Sequence, residues 1–153
     1  MLRPRLGAAA FAIALVVAPS VAAQNAARAA SFAGSVQSND TTTLTVAADL
    51  TGDLMGYFTF SVTRDSGQPT GSWVWMHKRT NADGSVDDLG MIEGTLMSGR
   101  LTTTDGGSVA SLDDVRLTVT AGTGEFENLG GGSGTLNGSI AGTQFTGALS
   151  LTF

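Results

Sequence analysis

The chain has 153 residues, with 13 Asp and Glu against 8 Lys and Arg, a single His and no Cys. This length is normal for one domain, and no linker divides it. Without cysteine the fold holds no disulfide bonds, so its stability has to come from core burial and strand pairing. The acidic balance repels phosphate backbones and anionic lipids, which argues against nucleic acid or a membrane surface as a partner.

Residues 1–23 have the three parts of a secretory signal peptide. A basic start is followed by an apolar stretch over residues 6–18 and by small residues before the cleavage point. The apolar stretch is shorter than the roughly 20 residues that a membrane-spanning helix needs. We predict cleavage before Gln24 or Ala23, which leaves a mature net charge of about −7. The protein is therefore expected to be secreted or periplasmic.

The mature chain reads as short strands separated by turns. Residues 24–30 are small and polar and are expected to form a flexible lead before a single domain over residues 31–153. Apolar and polar side chains alternate in several segments, which include residues 44–50, 58–62, 115–119 and 145–153. Such alternation places one set of side chains on a core face and the other toward water. With turn signals between the segments and no amphipathic helical window, the sequence predicts an all-β antiparallel sandwich or barrel.

The segment over residues 118–138 contains a Gly-Thr-Gly turn, an aromatic residue and then a glycine-rich stretch. Gly122, Gly124 and Phe126 stand in that order. This pattern resembles the structural corner of the allene oxide cyclase-like and dirigent-like barrels, and the resemblance covers roughly the last third of the mature chain. It implies an antiparallel, calycin-like β-barrel of about eight strands with an apolar cavity. The catalytic residues of those enzymes cannot be placed on this sequence, so the resemblance does not carry their activity.

The same corner gives local expectations. We expect a positive φ at Gly122 or Gly124, because a side chain tolerates that conformation poorly. Phe126 is expected to fold back over the barrel floor. Glu125 and Glu127, which flank it, are expected to point into solvent.

Residues 72–79 hold the best candidate for a ligand site. Alternation places Trp73, Trp75, His77 and Arg79 on one face of a strand. Turned inward, this face would form an aromatic wall with a cationic mouth for a small apolar, amphiphilic or carboxylate-bearing ligand. The alternative is that the two indoles fill the core while His77 and Arg79 lie at the rim in solvent.

The sequence lacks the usual catalytic and metal signatures. A single His excludes a His-pair metal site. Residues 81–88 resemble part of a calcium loop, but Arg79 and Gly90 stand where its first and last ligands should be. No serine lies in a Gly-x-Ser-x-Gly elbow. We therefore expect no metal and no cofactor, and we assign no catalytic residue.

Three functions stay open at this point. The chain is an exported soluble barrel that binds a small apolar or amphiphilic ligand, a cyclase or isomerase of the resembled kind, or a small outer-membrane barrel or structural surface protein. The chain ends on Phe153 after an alternating strand, as outer-membrane barrels do, but two Trp and one Tyr are too few for two aromatic girdles. An enzyme would need convergent polar groups in an apolar pocket, whereas a surface module would have a filled core.

Overall fold

The computed structural model describes residues 26–64, 68–129 and 131–153. The predicted signal peptide lies outside the described residues. Within these ranges the chain forms eight β-strands. β1 spans Arg28–Asn39, β2 Thr43–Gly52, β3 Gly56–Thr63, β4 Thr70–Thr80, β5 Val86–Thr103, β6 Val109–Gly124, β7 Ser133–Ala141 and β8 Gln144–Thr152. No helix that could cross a membrane occurs in the same ranges.

The strands form one closed barrel. Each strand pairs antiparallel with the next in the chain, and β8 pairs antiparallel with β1 to complete the circle. The predicted all-β antiparallel barrel of eight strands is therefore confirmed.

The barrel begins earlier than the sequence predicts. β1 starts at Arg28, which lies opposite Leu151 of β8, and Ala30 is buried between Leu149 of β8 and Gly52 of β2. The prediction of a flexible lead over residues 24–30 is thus wrong for its last three residues. Alanine has a weak intrinsic preference for strands, so pairing with the two neighbouring strands, rather than the local sequence, determines this start.

Apolar side chains fill the inside of the barrel. Seven aromatic side chains are buried there, namely Phe32, Phe58, Phe60, Trp73, Trp75, Phe126 and Phe145. Several of these rings contact each other, with centroid distances of 5.2 Å for Phe32–Phe145 and 5.4 Å for Phe60–Phe145. Leucine, valine and isoleucine side chains complete the core, and no polar or charged residue is buried among those that the structure describes.

The outer face of the barrel is mostly small and polar. The outward positions of β2 and β3 include Thr45 and Ser61, whose hydroxyl oxygens lie 3.3 Å apart on opposite strands. Thr95 of β5 and Thr118 of β6 form a similar pair at 2.7 Å. Apolar side chains thus point inward and hydroxyl-bearing side chains point outward on these strands.

The two ends of the barrel differ, and we name each after a residue. At the Asn39 end, the Asn39 side-chain amide donates to the Val109 carbonyl (2.9 Å) and accepts from the Val109 N–H (2.8 Å), which joins β1 to the non-adjacent β6. The Arg64 guanidinium donates to the backbone carbonyls of Asp40 and Gly107 there. The His77 end comprises the end of β4, the β2–β3 loop and the turn after β6, and it holds the residues considered next.

Candidate functional site

The two tryptophans lie inside the barrel, as the alternation of β4 predicts. Trp73 and Trp75 are 1% and 0% exposed. Trp73 packs near the Phe58 ring, with centroids 6.1 Å apart, and the Trp75 indole N–H donates to the carbonyl of Met55 at 3.2 Å. The indole N–H of Trp73 has no hydrogen-bond partner among the described residues. The aromatic wall therefore exists, but it is packed against protein side chains.

His77 lies at the rim of the barrel and does not extend freely into solvent. Its ring packs against those of Trp75 and Phe126, with centroids 5.2 and 5.7 Å away. Its Nδ1 atom contacts a carboxylate oxygen of Glu125. The side chains of His77 and Glu125 are 22% and 43% exposed. Glu125 is exposed, as the sequence predicts, but the turn after β6 also brings it back over the end of β4, where it contacts His77.

Arg79 is separated from this group. After His77 the pairing of β4 with β5 shifts, since His77 lies opposite Gly90 but Lys78 lies opposite Asp88. Beyond this bulge Arg79 contacts Asp87 of β5 at 3.3 Å. A hydrogen bond from Asn81 and the nearby Arg79 lower the pKa of the Asp87 carboxyl. The structure therefore does not form the predicted cationic mouth, because both His77 and Arg79 already face protein carboxylates.

The turn after β6 is held by backbone hydrogen bonds and closes the His77 end of the barrel. Gly124 has a φ of 62°, which confirms a positive φ at one of the two glycines. The N–H of Phe126 donates to the Thr123 carbonyl at 3.1 Å, and the N–H of Leu129 donates to the Phe126 carbonyl at 2.9 Å. Phe126 is only 4% exposed and also lies beside Phe153, with ring centroids 6.3 Å apart. The Phe126 ring thus caps the barrel as predicted.

Gly122, the other glycine of this corner, lies directly beneath the turn. A Cβ atom there would lie 2.2 Å from the Phe126 carbonyl oxygen. Glu127 is exposed, as the sequence predicts.

Outside the barrel, beside the same corner, lies a groove that the sequence analysis missed. It has a volume of about 280 Å³ and is lined by Met76, Asp88, Leu89, Gly90, Met91, Thr123 and Gly124. Met76 and Met91 lie directly opposite each other on β4 and β5. Leu89 is the extra residue of the bulge, and its carbonyl accepts the N–H of Glu125 at 3.0 Å. The bulge therefore adds a third apolar side chain to the two methionines.

The methionines as a group lie on the outside of this barrel. After Met1, the sequence contains Met55, Met76, Met91 and Met97. Met55 and Met97 are 50% and 57% exposed, and Met76 and Met91 are half-buried on the outer face. Alternation on β4 predicts that Met76 points outward when the tryptophans point inward. Its contact with Met91 depends on the register of β4 with β5, which the sequence pattern does not give.

The described residues form other concavities, including one of about 340 Å³ whose lining combines Ala29, Ala30, Ala148 and Leu149 with hydroxyl-bearing side chains. One of about 500 Å³ lies at the Asn39 end, and one of about 480 Å³ crosses the outer face of β6, β7 and β8 over Thr118, Thr135 and Ser150. In the part of the chain that the structure describes, no three His, Cys, Asp or Glu side chains are placed to hold a metal ion. The groove beside Met76 and Met91 is distinguished by two methionines that face each other across paired strands, and we take it as the candidate site.

Comparison with protein-family models, curated proteins and solved structures finds no match to this chain. The resemblance of the Gly122–Gly124–Phe126 corner to the allene oxide cyclase-like barrels stays a prediction drawn from those residues.

Proposed function

We propose that the chain is an exported, water-soluble β-barrel that binds a small apolar or amphiphilic molecule on its outer surface, in the groove beside Met76 and Met91. Export is proposed from the signal-peptide pattern of residues 1–23. The sequence predicts the same class of ligand. It places the binding site inside the barrel, whereas we propose a site on the outer face.

The sidedness of the barrel supports a water-soluble protein. A barrel that spans an outer membrane has an apolar band outside and a polar interior. Here the aromatic and aliphatic side chains are inside, and outward positions such as Thr45, Ser61, Thr95 and Thr118 carry hydroxyl groups. Facing this outer surface toward lipid would also bury outward carboxylates such as those of Asp49 and Glu93, which is costly.

The filled interior supports a surface site over an internal one. Trp73, Trp75 and Phe58 are almost fully buried and contact one another or other core side chains. A cyclase or isomerase would need polar groups that converge deep in an apolar pocket. The described interior contains no buried polar or charged residue. We therefore favour binding over catalysis.

The observation that carries the proposal is the pair of facing methionines in a groove on an otherwise hydroxyl-rich surface. Methionine is flexible and polarisable, so it adapts to varied apolar partners at binding surfaces. Burying about six methylene groups, at about 0.8 kcal/mol each, would contribute about 5 kcal/mol before the cost of association. A groove of about 280 Å³ thus holds about six carbons of an alkyl chain or one ring of an aromatic molecule, and the rest of a longer ligand would lie along the outer surface, so we expect modest affinity.

The test uses the neutral fluorescent probe N-phenyl-1-naphthylamine with the mature protein. We expect saturable fluorescence enhancement that is lost when Met76 and Met91 are both replaced by glutamine. Met97→Gln is the matched control, because Met97 is an exposed methionine on a distant part of β5. If the double variant binds the probe as the parent does, the groove is not the site and the proposal fails.

A further inference from the structure

We infer that the groove selects amphiphiles with a cationic head group, an inference that rests on the proposed function and specifies its ligand class. The argument comes from the side chains that surround the apolar lining. They belong to the five neighbouring strands β2 to β6, whose register is fixed by the barrel.

One row of outward residues runs across the strands through the groove. Asp49 of β2 lies opposite Tyr57 of β3, Tyr57 lies opposite Met76, and Met76 lies opposite Met91. Thr123 of β6 continues the row opposite Met91. Directly paired side chains on one face lie within contact distance. The row therefore places a carboxylate and then an aromatic ring beside the two methionines.

Two further carboxylates flank Met91 along β5. Asp88 lines the groove, and its side chain is 80% exposed. Glu93 follows Met91 by two residues, so it points to the same outer face, where it is exposed. Among the described residues, neither Glu93 nor Asp49 forms a side-chain hydrogen bond or ion pair. Both carboxylates are therefore open to a cation.

The basic residue nearest to the groove is already paired. Lys78 lies opposite Asp88, with 3.7 Å between its ammonium nitrogen and the carboxylate oxygen. Asp49, Asp88 and Glu93 thus exceed the positive charge of Lys78 by two. This excess negative charge would repel a bound anion, whereas a bound cation would partly neutralise it.

Tyr57 also favours a cationic head group. The face of a tyrosine ring attracts a nearby cation, and quaternary ammonium groups are recognised in this way. An alkyl chain held between Met76 and Met91 would bring its head group toward Tyr57 and Asp49 along the row, or toward Glu93 along β5. In either direction the head group would lie close to a carboxylate, that of Asp49 or that of Glu93.

The test compares three amphiphiles with the same dodecyl chain, each below its micelle concentration, by titration calorimetry. They are dodecyltrimethylammonium, dodecyl maltoside and dodecyl sulfate. At low ionic strength we expect the cationic compound to bind about tenfold more tightly than the uncharged one, and the sulfate more weakly than both. About 1 M salt, with a Debye length of about 3 Å, should reduce this difference.

Variants locate the effect. Asp88→Asn combined with Glu93→Gln should lower the cationic preference to about threefold or less while dodecyl maltoside still binds. The matched control is Asp105→Asn, which removes a carboxylate in the turn before β6 at the opposite end and should leave the preference unchanged.

Equal binding of the cationic and uncharged compounds to the parent protein would overturn this inference but leave the proposed function standing. If Asp105→Asn lowers the cationic preference as much as the groove variant does, the preference comes from the net charge of the protein, and this inference is overturned as well. If none of the three binds, the proposed function fails with it.

Discussion

Replacing Phe126 with alanine should be costly, because its ring caps the His77 end of the barrel. The ring is 4% exposed and lies against those of Trp75, His77 and Phe153. Truncating a buried phenylalanine to alanine costs about 3–5 kcal/mol. Because this site lies at the rim, where His77 is 22% exposed, neighbouring side chains and water can partly fill the space. We therefore expect about 3 kcal/mol.

Urea unfolding monitored by tryptophan fluorescence measures this cost. With a slope of about 2 kcal/mol per M, the unfolding midpoint should fall by about 1.5 M. Glu127→Ala is the control, because this neighbouring side chain is exposed and its loss should change stability by no more than about 0.5 kcal/mol. A cost below about 1 kcal/mol for Phe126→Ala would refute the view that this ring holds the corner in place.

Three further predictions concern other parts of the chain. Gly124→Val should cost about 1–3 kcal/mol in urea unfolding, because its φ is 62° and a Cβ would lie 2.5 Å from the Leu89 carbonyl oxygen; Gly84→Val, at a positive φ with open space around it, should cost less. Hydrogen bonds from Thr42 and Thr43 lower the pKa of Asp40 from 3.8 to about 2, so the ionised form is favoured in the folded state. Its stabilisation is present above pH 3.8 and is lost as the pH falls through about 2, and the deficit of Asp40→Ala should shrink over that interval. Expression in a bacterium should yield protein in the periplasm or medium with an intact mass that begins at Gln24 or Ala23, and retention of Met1 on exported protein would contradict the signal peptide.

Much of the fold follows from local patterns in the sequence. Alternation on β4 correctly directs Trp73 and Trp75 inward, because a strand side chain has only two directions and burial of two indoles decides between them. The corner was also predictable, since a Gly-x-Gly turn followed by an aromatic residue needs only local geometry. Gly124 and Phe126 accordingly adopt the expected positive φ and buried position.

The rest depends on which residues the barrel brings together from distant parts of the chain. Glu125 contacts His77 across 48 positions of sequence, which no local pattern indicates. The extra residue at Leu89 shifts the pairing of β4 with β5 and separates Arg79 from the rim. The same register places Met76 against Met91. The register of neighbouring strands, rather than the preference of any one segment, therefore creates the candidate site.

Methionine methyl signals offer the most direct test of the central claim that the ligand binds outside the barrel. The mature protein labelled with 13C-methyl methionine carries four reporters, of which Met76 and Met91 line the groove and Met97 does not. On titration with dodecyltrimethylammonium below its micelle concentration, the Met76 and Met91 methyl signals should shift saturably while Met97 stays unchanged. Shifts centred on the indole N–H of Trp73, with the Met76 and Met91 methyl signals unmoved, would place the ligand inside the barrel and contradict the account.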